Sequence, residues 1–230
     1  MIDIQGKWAL VTGSSRGIGT QIAHALAERQ CNLILHGRTL EANRALAHEL
    51  QDLGIKVHCL AADLSHPQEA KELAEAAEKL SGGIDILYNN AAIMTPYRPE
   101  CQAPIEEYLL SFTVNVVSVI MICDAILPKM LERGFGRVVN VTSGIANEPE
   151  LMPYAVSKAA LDKFVRDSAK RLQGKDVLMN LLDPGWLRTD LGGPHAPNAV
   201  SDVLPGALVP GLLSQSAGSG SLYRALEYRL

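Results

Sequence analysis

No two of the four cysteines, Cys31, Cys59, Cys101 and Cys123, form a Cys-x-x-Cys pair. Cysteines scattered this way read as reduced thiols, and cytoplasmic localisation is the expectation. The six histidines (His24, His36, His48, His58, His66, His195) show neither His-x3-His nor His-Glu-x2-His spacing, so no metal site is expected. Positive charge is not in excess either. Lys and Arg number 21 against 25 Asp and Glu, a net charge of −4. That balance excludes the basic surface that non-specific nucleic-acid binding requires. The longest apolar run, Val114 to Cys123, is too short to cross a bilayer and stops at Asp124. Met1-Ile2-Asp3-Ile4 also lacks the basic stretch and apolar run of a leader. A protein that folds in water, without nucleic-acid or membrane partners, is expected.

What is present fits one globular domain over residues 1–230, since 47% hydrophobic and 20% charged residues are ordinary for a soluble protein with a sizeable core. Short β-rich apolar runs alternate with longer helix-like segments, the pattern of a parallel sheet with helices on both faces. Strands are expected at Trp8–Val11, Asn32–Leu35, Lys56–Leu60, Ile84–Tyr88, Arg137–Val141 and Val177–Leu182. Helices are expected at Gly17–Arg29, Leu40–Leu53, Pro67–Leu80, Ile105–Arg133 and Pro153–Leu172. Pro67 and Pro153 suit a first helical turn, whereas Pro128 should bend or end the long fourth helix before Gly134. After Asp183-Pro184-Gly185 the chain turns rich in Gly and Pro, and residues 186–220 read as a substrate-facing loop with short helical pieces, able to act as a lid.

Thr12-Gly13-Ser14-Ser15-Arg16-Gly17-Ile18-Gly19 follows the first strand and opens the first helix. In that context Gly13 permits a tight turn, Gly17 lets backbone approach a pyrophosphate, and Gly19 allows helix to pack on strand. The helix start offers amide donors to the phosphates. At the end of the second strand, Leu35-His36-Gly37-Arg38 holds no carboxylate to receive ribose hydroxyls. Arg38 instead brings a guanidinium suited to a phosphate, and Arg16 can supply a second. The pair favours NADP(H) over NAD(H).

Tyr154-Ala155-Val156-Ser157-Lys158 places a phenol and an ammonium four residues apart on a helix-like segment. They share a face, so the Lys158 cation can lie near the Tyr154 hydroxyl and favour its phenolate, tuning an ordinary pKa of about 10 toward neutrality.

With the glycine-rich turn, Asn89-Asn90-Ala91-Ala92, the Ser143 segment and the Tyr154–Lys158 helix in that order, the chain resembles the short-chain dehydrogenase/reductase family over residues 5 to 190. The resemblance implies a single Rossmann-type, doubly wound parallel α/β sheet of about seven strands, the last near Ser221–Arg224. It implies catalytic roles for Tyr154 as proton donor and acceptor, Lys158 as its tuner and ribose holder, Ser143 on the substrate oxygen, and Asn115 placing a water toward Lys158. The cofactor would be held by Gly13, Ser15, Arg16, Gly17, Ile18, Gly19 and Arg38, by Asp63 and Leu64 at the adenine, and by Asn89 and Ala91 at the ribose. Pro184, Gly185, Leu187 and Thr189 would cup the nicotinamide carboxamide, with Tyr154 and Lys158 completing the set. For Asp63 a helix N-cap is the competing reading.

Three departures from the family pattern stand out. Ala92 replaces a usual glycine, the Ser143-to-Tyr154 interval is short so that Thr142 competes with Ser143, and the usual closing segment is absent at Tyr223-Arg224-Ala225-Leu226. The implied activity is an NADPH-dependent interconversion of a ketone or aldehyde with its alcohol. The alternatives are a non-catalytic NADP(H) sensor and an epimerase or dehydratase on the same fold. Met94, Leu151, Met152 and Trp186 are candidate walls of a partly apolar substrate pocket. A homodimer or homotetramer is implied through the segments Ile105–Arg133 and Pro153–Leu172.

Overall fold

The computed structural model describes residues 1–228. Seven strands form one parallel sheet: β1 (Trp8–Val11), β2 (Asn32–Gly37), β3 (Val57–Ala61), β4 (Ile86–Asn89), β5 (Gly136–Val141), β6 (Val177–Asp183) and β7 (Leu222–Arg224). Their spatial order is β3-β2-β1-β4-β5-β6-β7. The order reverses between β1 and β4, and at such a switch point a crevice opens beyond the carboxyl ends of the strands. The site is built there.

The helices are α1 (Gly17–Ala27), α2 (Arg44–Gln51), α3 (Pro67–Ser81), α4 (Ile105–Phe112), α5 (Ser118–Arg133) and α6 (Met152–Arg171). Strand side chains alternate between two cores. Ala9, Val11, Leu33, Leu35 and Tyr88 pack with α1 and α2, whereas Leu10, Ile34, Leu87, Val138 and Met179 pack with α3, α5 and α6. Period-two alternation combined with burial on both faces explains why the strands read as unbroken apolar runs.

The expected single helix Ile105–Arg133 contains a π-helical turn, Thr113–Val117, between α4 and α5. Pro128 neither ends nor shortens this helix, which runs on to Arg133 and stops at Gly134, with φ +75°. Pro128 and Asp124, whose carbonyl the missing N–H releases, are both exposed, so water can satisfy that carbonyl. By length and apolarity Ile105–Arg133 could cross a membrane, but half of its most apolar window is buried inside the fold.

The segment read as a lid divides in two. Residues 186–199 are mostly at the surface, apart from buried Leu187 and Ala196, whereas Val203, Ala207, Leu208 and Leu212 belong to the core on the α1 side. Tyr88 donates its hydroxyl to the Ala207 carbonyl at 3.1 Å, and a Cβ on Gly211 would stand 2.4 Å from that phenol oxygen. Fully buried Arg137 donates to the Leu213 carbonyl at 2.8 Å and pairs with Asp176 at 2.6 Å. Residues 203–213 therefore form part of the wall of the fold.

Removing the phenol oxygen in Tyr88→Phe strands the buried Ala207 carbonyl, at a cost of about 1–3 kcal/mol. Urea unfolding should show that loss as a lower midpoint at unchanged slope, and an unaltered midpoint would show that the 203–213 wall is held by other means.

Candidate active site

β1 delivers the chain into the glycine-rich turn, where Gly13 (φ +63°) and Gly17 (φ +60°) adopt backbone that L side chains avoid. Gly19 is required for a different reason: a Cβ there would lie 2.3 Å from the Gly13 carbonyl oxygen. α1 begins behind Arg16 with no side-chain cap and no acidic residue in its first turn. Bare backbone and an uncapped helix start, with its partial positive charge, fit a pyrophosphate held by Ser15, Gly17, Ile18 and Gly19.

The turn is tied down from both sides. Asn90 donates its side-chain amide to the carbonyls of Thr12 (2.9 Å) and Gly13 (3.0 Å), and the Thr12 hydroxyl oxygen accepts the Asn90 and Ala91 N–H groups. From β2, His36 Nδ1 accepts the Gly13 N–H at 3.1 Å while Nε2 lies 3.1 Å from the Ala62 carbonyl. Those partners fix the neutral Nε2–H tautomer. Burial lowers the His36 pKa below its usual 6.5, with the Ala62 carbonyl opposing.

At the adenosine end Arg38 is exposed and, among the described residues, forms no salt bridge. Arg16 is already paired, to Asp190 at 2.8 Å, so of the two expected cations one is engaged. Asp63 accepts the Ser65 N–H at 2.9 Å, and that Ser65 contact is the main reason its pKa is lowered. The nearby Arg38 and His66 charges add to the effect. The N-cap of α3 is His66, so Asp63 closes a local turn instead of capping the helix.

Three residues expected at the cofactor turn their side chains elsewhere. Asn89 is buried and donates to Asn140 Oδ1 (2.9 Å) and Cys123 Sγ (3.4 Å). Leu64 and Leu187 are in the two cores. Only their backbone can meet a ligand. Ala91 lies against the turn, its Cα 2.9 Å from where a Gly13 Cβ would stand, and Thr189 closes over Gly17 from the other side. Pro184 is buried, and Gly185 (φ +78°) makes the bend after β6.

The reacting end is set by α6 against the tip of β5. Lys158, 4% exposed, donates from Nζ to the Val141 carbonyl at 2.8 Å and lies 5.7 Å from the centroid of the Tyr154 ring. Burial lowers the Lys158 pKa to about 8, opposed by the Asp162 carboxylate. Tyr154, 6% exposed, moves the other way. Burial raises the phenol above its ordinary value, the Ser143 hydroxyl opposes this, and the Asp183 carboxylate adds to the rise. The expected depression of the tyrosine by Lys158 is thus absent from the structure, because the ammonium is turned to a strand carbonyl and burial dominates.

Thr142 donates its hydroxyl to Asp162, leaving Ser143 as the hydroxyl beside Tyr154. Asn115 sits at the centre of the π turn, fully buried. Its amide exchanges two 2.9 Å hydrogen bonds with the Ile93 backbone and donates to Ser157 Oγ, which reaches the Tyr154 carbonyl at 2.7 Å. A π turn re-aims one side chain within a helix and recurs at functional sites. Met94, Tyr97, Met152 and Trp186 are exposed large hydrophobics on the loops and helix start around this end.

His36, Ser157, Asp162 and Asp183 escaped the sequence reading, and Asn90 had no role in it. Asp162 alone carried a usable signal, since it stands one turn beyond Lys158.

The family model for short chain dehydrogenases matches residues 7–199. The 3-oxoacyl-[acyl-carrier-protein] reductase FabG of Aquifex aeolicus is 34% identical over 193 residues, which is 83% of this chain and 77% of the relative. Among solved structures, a 3-oxoacyl (acyl-carrier-protein) reductase from Agrobacterium tumefaciens C58 with NADP bound superposes with a TM-score of 0.86 at 29% identity, covering 96% of this chain and 93% of that one. A 7α-hydroxysteroid dehydrogenase complexed with NADH and 7-oxo glycochenodeoxycholic acid gives 0.85 at 27% identity, covering 96% and 93%.

Neutral His36 accepts the Gly13 N–H, and protonation would remove that acceptor. Its folded-state pKa is lowered from 6.5, so the unfolded chain takes up the proton first as pH falls. Stability is therefore full above about 6.5 and declines below it, by at most ~1.4 kcal/mol per pH unit from this one group. Urea midpoints at pH 7.5 and 5.5 should fall further for the wild type than for His36→Gln, which keeps an acceptor and a donor without titrating. Equal slopes would remove His36 from the account.

Proposed function

The chain belongs to the short-chain dehydrogenase/reductase family, and from that premise we propose that it is an NADPH-dependent reductase interconverting a ketone or aldehyde with its alcohol. As a family member it is an oxidoreductase that works with a nicotinamide cofactor on small-molecule substrates. The observation that carries the finer reading is the buried Tyr154 phenol, with Ser143 beside it and Lys158 behind it.

When bound, the reduced nicotinamide supplies a hydride to the carbonyl carbon. Ser143 holds the carbonyl oxygen and stabilises the charge that develops on it. Tyr154 gives its proton to that oxygen as general acid, and a phenol kept above its ordinary value retains the proton at neutral pH until the oxygen becomes basic. Lys158, with its pKa near 8, can return a proton to the spent phenolate. Asn115 acts at one remove, fixing through Ser157 the backbone that carries Tyr154. Exclusion of water follows from the burial of both Tyr154 and Lys158.

Preference for NADP over NAD rests on Arg38, exposed and without a salt bridge among the described residues, at the end of a strand that brings no carboxylate to the ribose. Residues 186–199 serve as the lid over the substrate, and the apolar side chains at the mouth favour aliphatic or aromatic carbonyls. Exposed Ile105, Leu109 and Val117 supply an apolar face on the α4–α5 rod for a homodimer or homotetramer.

Screening a carbonyl library with NADPH and NADH should show turnover that prefers NADPH. Tyr154→Phe should cut kcat about 100- to 10,000-fold while leaving NADPH affinity within a few-fold. Undiminished turnover in that variant would refute the acid's assignment. Sedimentation equilibrium should report a dimer or tetramer, and a monomer at micromolar concentration would refute the oligomer.

A further inference from the structure

Asp183, the last residue of β6, is a carboxylate the proton relay does not use. It is 8% exposed and, among the described residues, has no cationic partner. Its neighbour across the sheet, Arg224, is paired in register but turns its guanidinium toward Glu227 at 3.6 Å. One oxygen, Oδ1, accepts the Gly185 N–H at 3.0 Å and so shapes the bend after the strand. The other oxygen, Oδ2, lies 2.6 Å from where a Cβ on Gly144 would stand. Gly144 follows Ser143 and is exposed, and the absence of a side chain there lets Oδ2 rest against the backbone next to the serine. The same carboxylate is close enough to Tyr154 to act on its phenol.

Carboxylates this far from water are found with a partner, since an uncompensated buried charge is costly. The surrounding loops supply none. Glu148 and Glu150 act on Tyr97, and Arg98 beside it is taken by Glu107 and Glu100. Lys158, the ammonium already at this end, is turned to the Val141 carbonyl, so a cation for Asp183 has to come from the ligand.

Building on the reductase reading above, we propose that Asp183 is a specificity-determining residue whose Oδ2 binds an ammonium group next to the reacting carbon, so that α-amino ketones and their amino alcohols are the favoured substrate class. The ammonium donates to Oδ2 beside Gly144, while the adjoining oxygen of the same substrate faces Ser143 and Tyr154. The apolar remainder meets the side chains at the mouth. A charge-assisted hydrogen bond in a largely desolvated place is worth roughly 10- to 100-fold in affinity over a neutral donor.

The test is a calorimetric titration of enzyme loaded with NADP⁺, using 2-amino-1-phenylethanol and its neutral counterpart 1-phenylethane-1,2-diol. Wild type should bind the amine at least 10-fold more tightly than the diol. Asp183→Asn keeps an acceptor for the Gly185 N–H and loses only the charge. It should bind both ligands alike, with NADP⁺ affinity within about threefold of wild type. Equal binding of amine and diol by the wild type overturns the proposal, as does a variant that loses both equally or loses NADP⁺. Because the readout is binding, it decides the role of Asp183 even if the carbonyl screen finds no turnover, an outcome that would sink the reductase reading alone.

Discussion

The grip of α6 on the tip of β5 is the contact on which the reacting end depends. Lys158 holds the Val141 carbonyl and Asp162 takes the Thr142 hydroxyl, so two successive residues are fixed immediately before Ser143. A buried ammonium is costly unless its donors are used, and here a strand carbonyl at 2.8 Å uses one of them. The same contact docks the helix and places the tyrosine one turn back along it. Lys158 thereby ties the helix that carries Tyr154 to the strand that leads into Ser143.

A second polar knot does the equivalent work at the nucleotide end. Thr12 at the end of β1, Asn90 in the loop after β4 and His36 in β2 converge on the backbone of the turn, whose own Ser14 hydroxyl reaches back to the His36 carbonyl. Glycine makes the turn possible but leaves it floppy, since it loses more conformational freedom on folding than any other residue. Satisfied hydrogen bonds from three segments offset that cost and leave the first turn of α1 without an internal partner. The switch between β1 and β4 is thus both where the crevice opens and where the sheet can bring polar groups from both sides to one place.

Much of this was legible in the sequence, and what was missed shares a cause. Strand positions, the parallel sheet and the α6 pairing followed from short apolar runs alternating with helix-like segments and from helical spacing, which are local properties. Asn115 was found by family resemblance, yet its clamp on Ile93 and Ser157 depends on a π turn that no periodicity announces. The 203–213 wall read as a loop because its residues are rich in Gly and Pro, while its burial comes from tertiary neighbours such as Tyr88 and Arg137. Asn89 was placed at the cofactor by family resemblance, and only the register with Asn140 shows that its side chain faces inward. His36 stands alone in an apolar strand, where nothing in the sequence tells a hydrogen-bonded core histidine from a stray one.

The opposite shifts of Tyr154 and Lys158 bear on how Tyr154 would work as the proposed acid. Had the ammonium lain against the phenol oxygen, it would have favoured phenolate, and the resting site would have been readied to take a proton from an alcohol. Burial instead favours the neutral form of each group, lifting the phenol and lowering the ammonium. A site in that state holds its proton on the tyrosine and keeps a second, more loosely held proton behind it on the lysine, the order needed to give one up and be refilled. Asp183 pushes in the same direction, since a carboxylate near the phenol opposes its ionisation. An ammonium brought by the substrate to that carboxylate would cancel part of this push. The tyrosine would then release its proton more readily once such a substrate was seated than it does before, which couples recognition of the ligand's charge to the readiness of the acid.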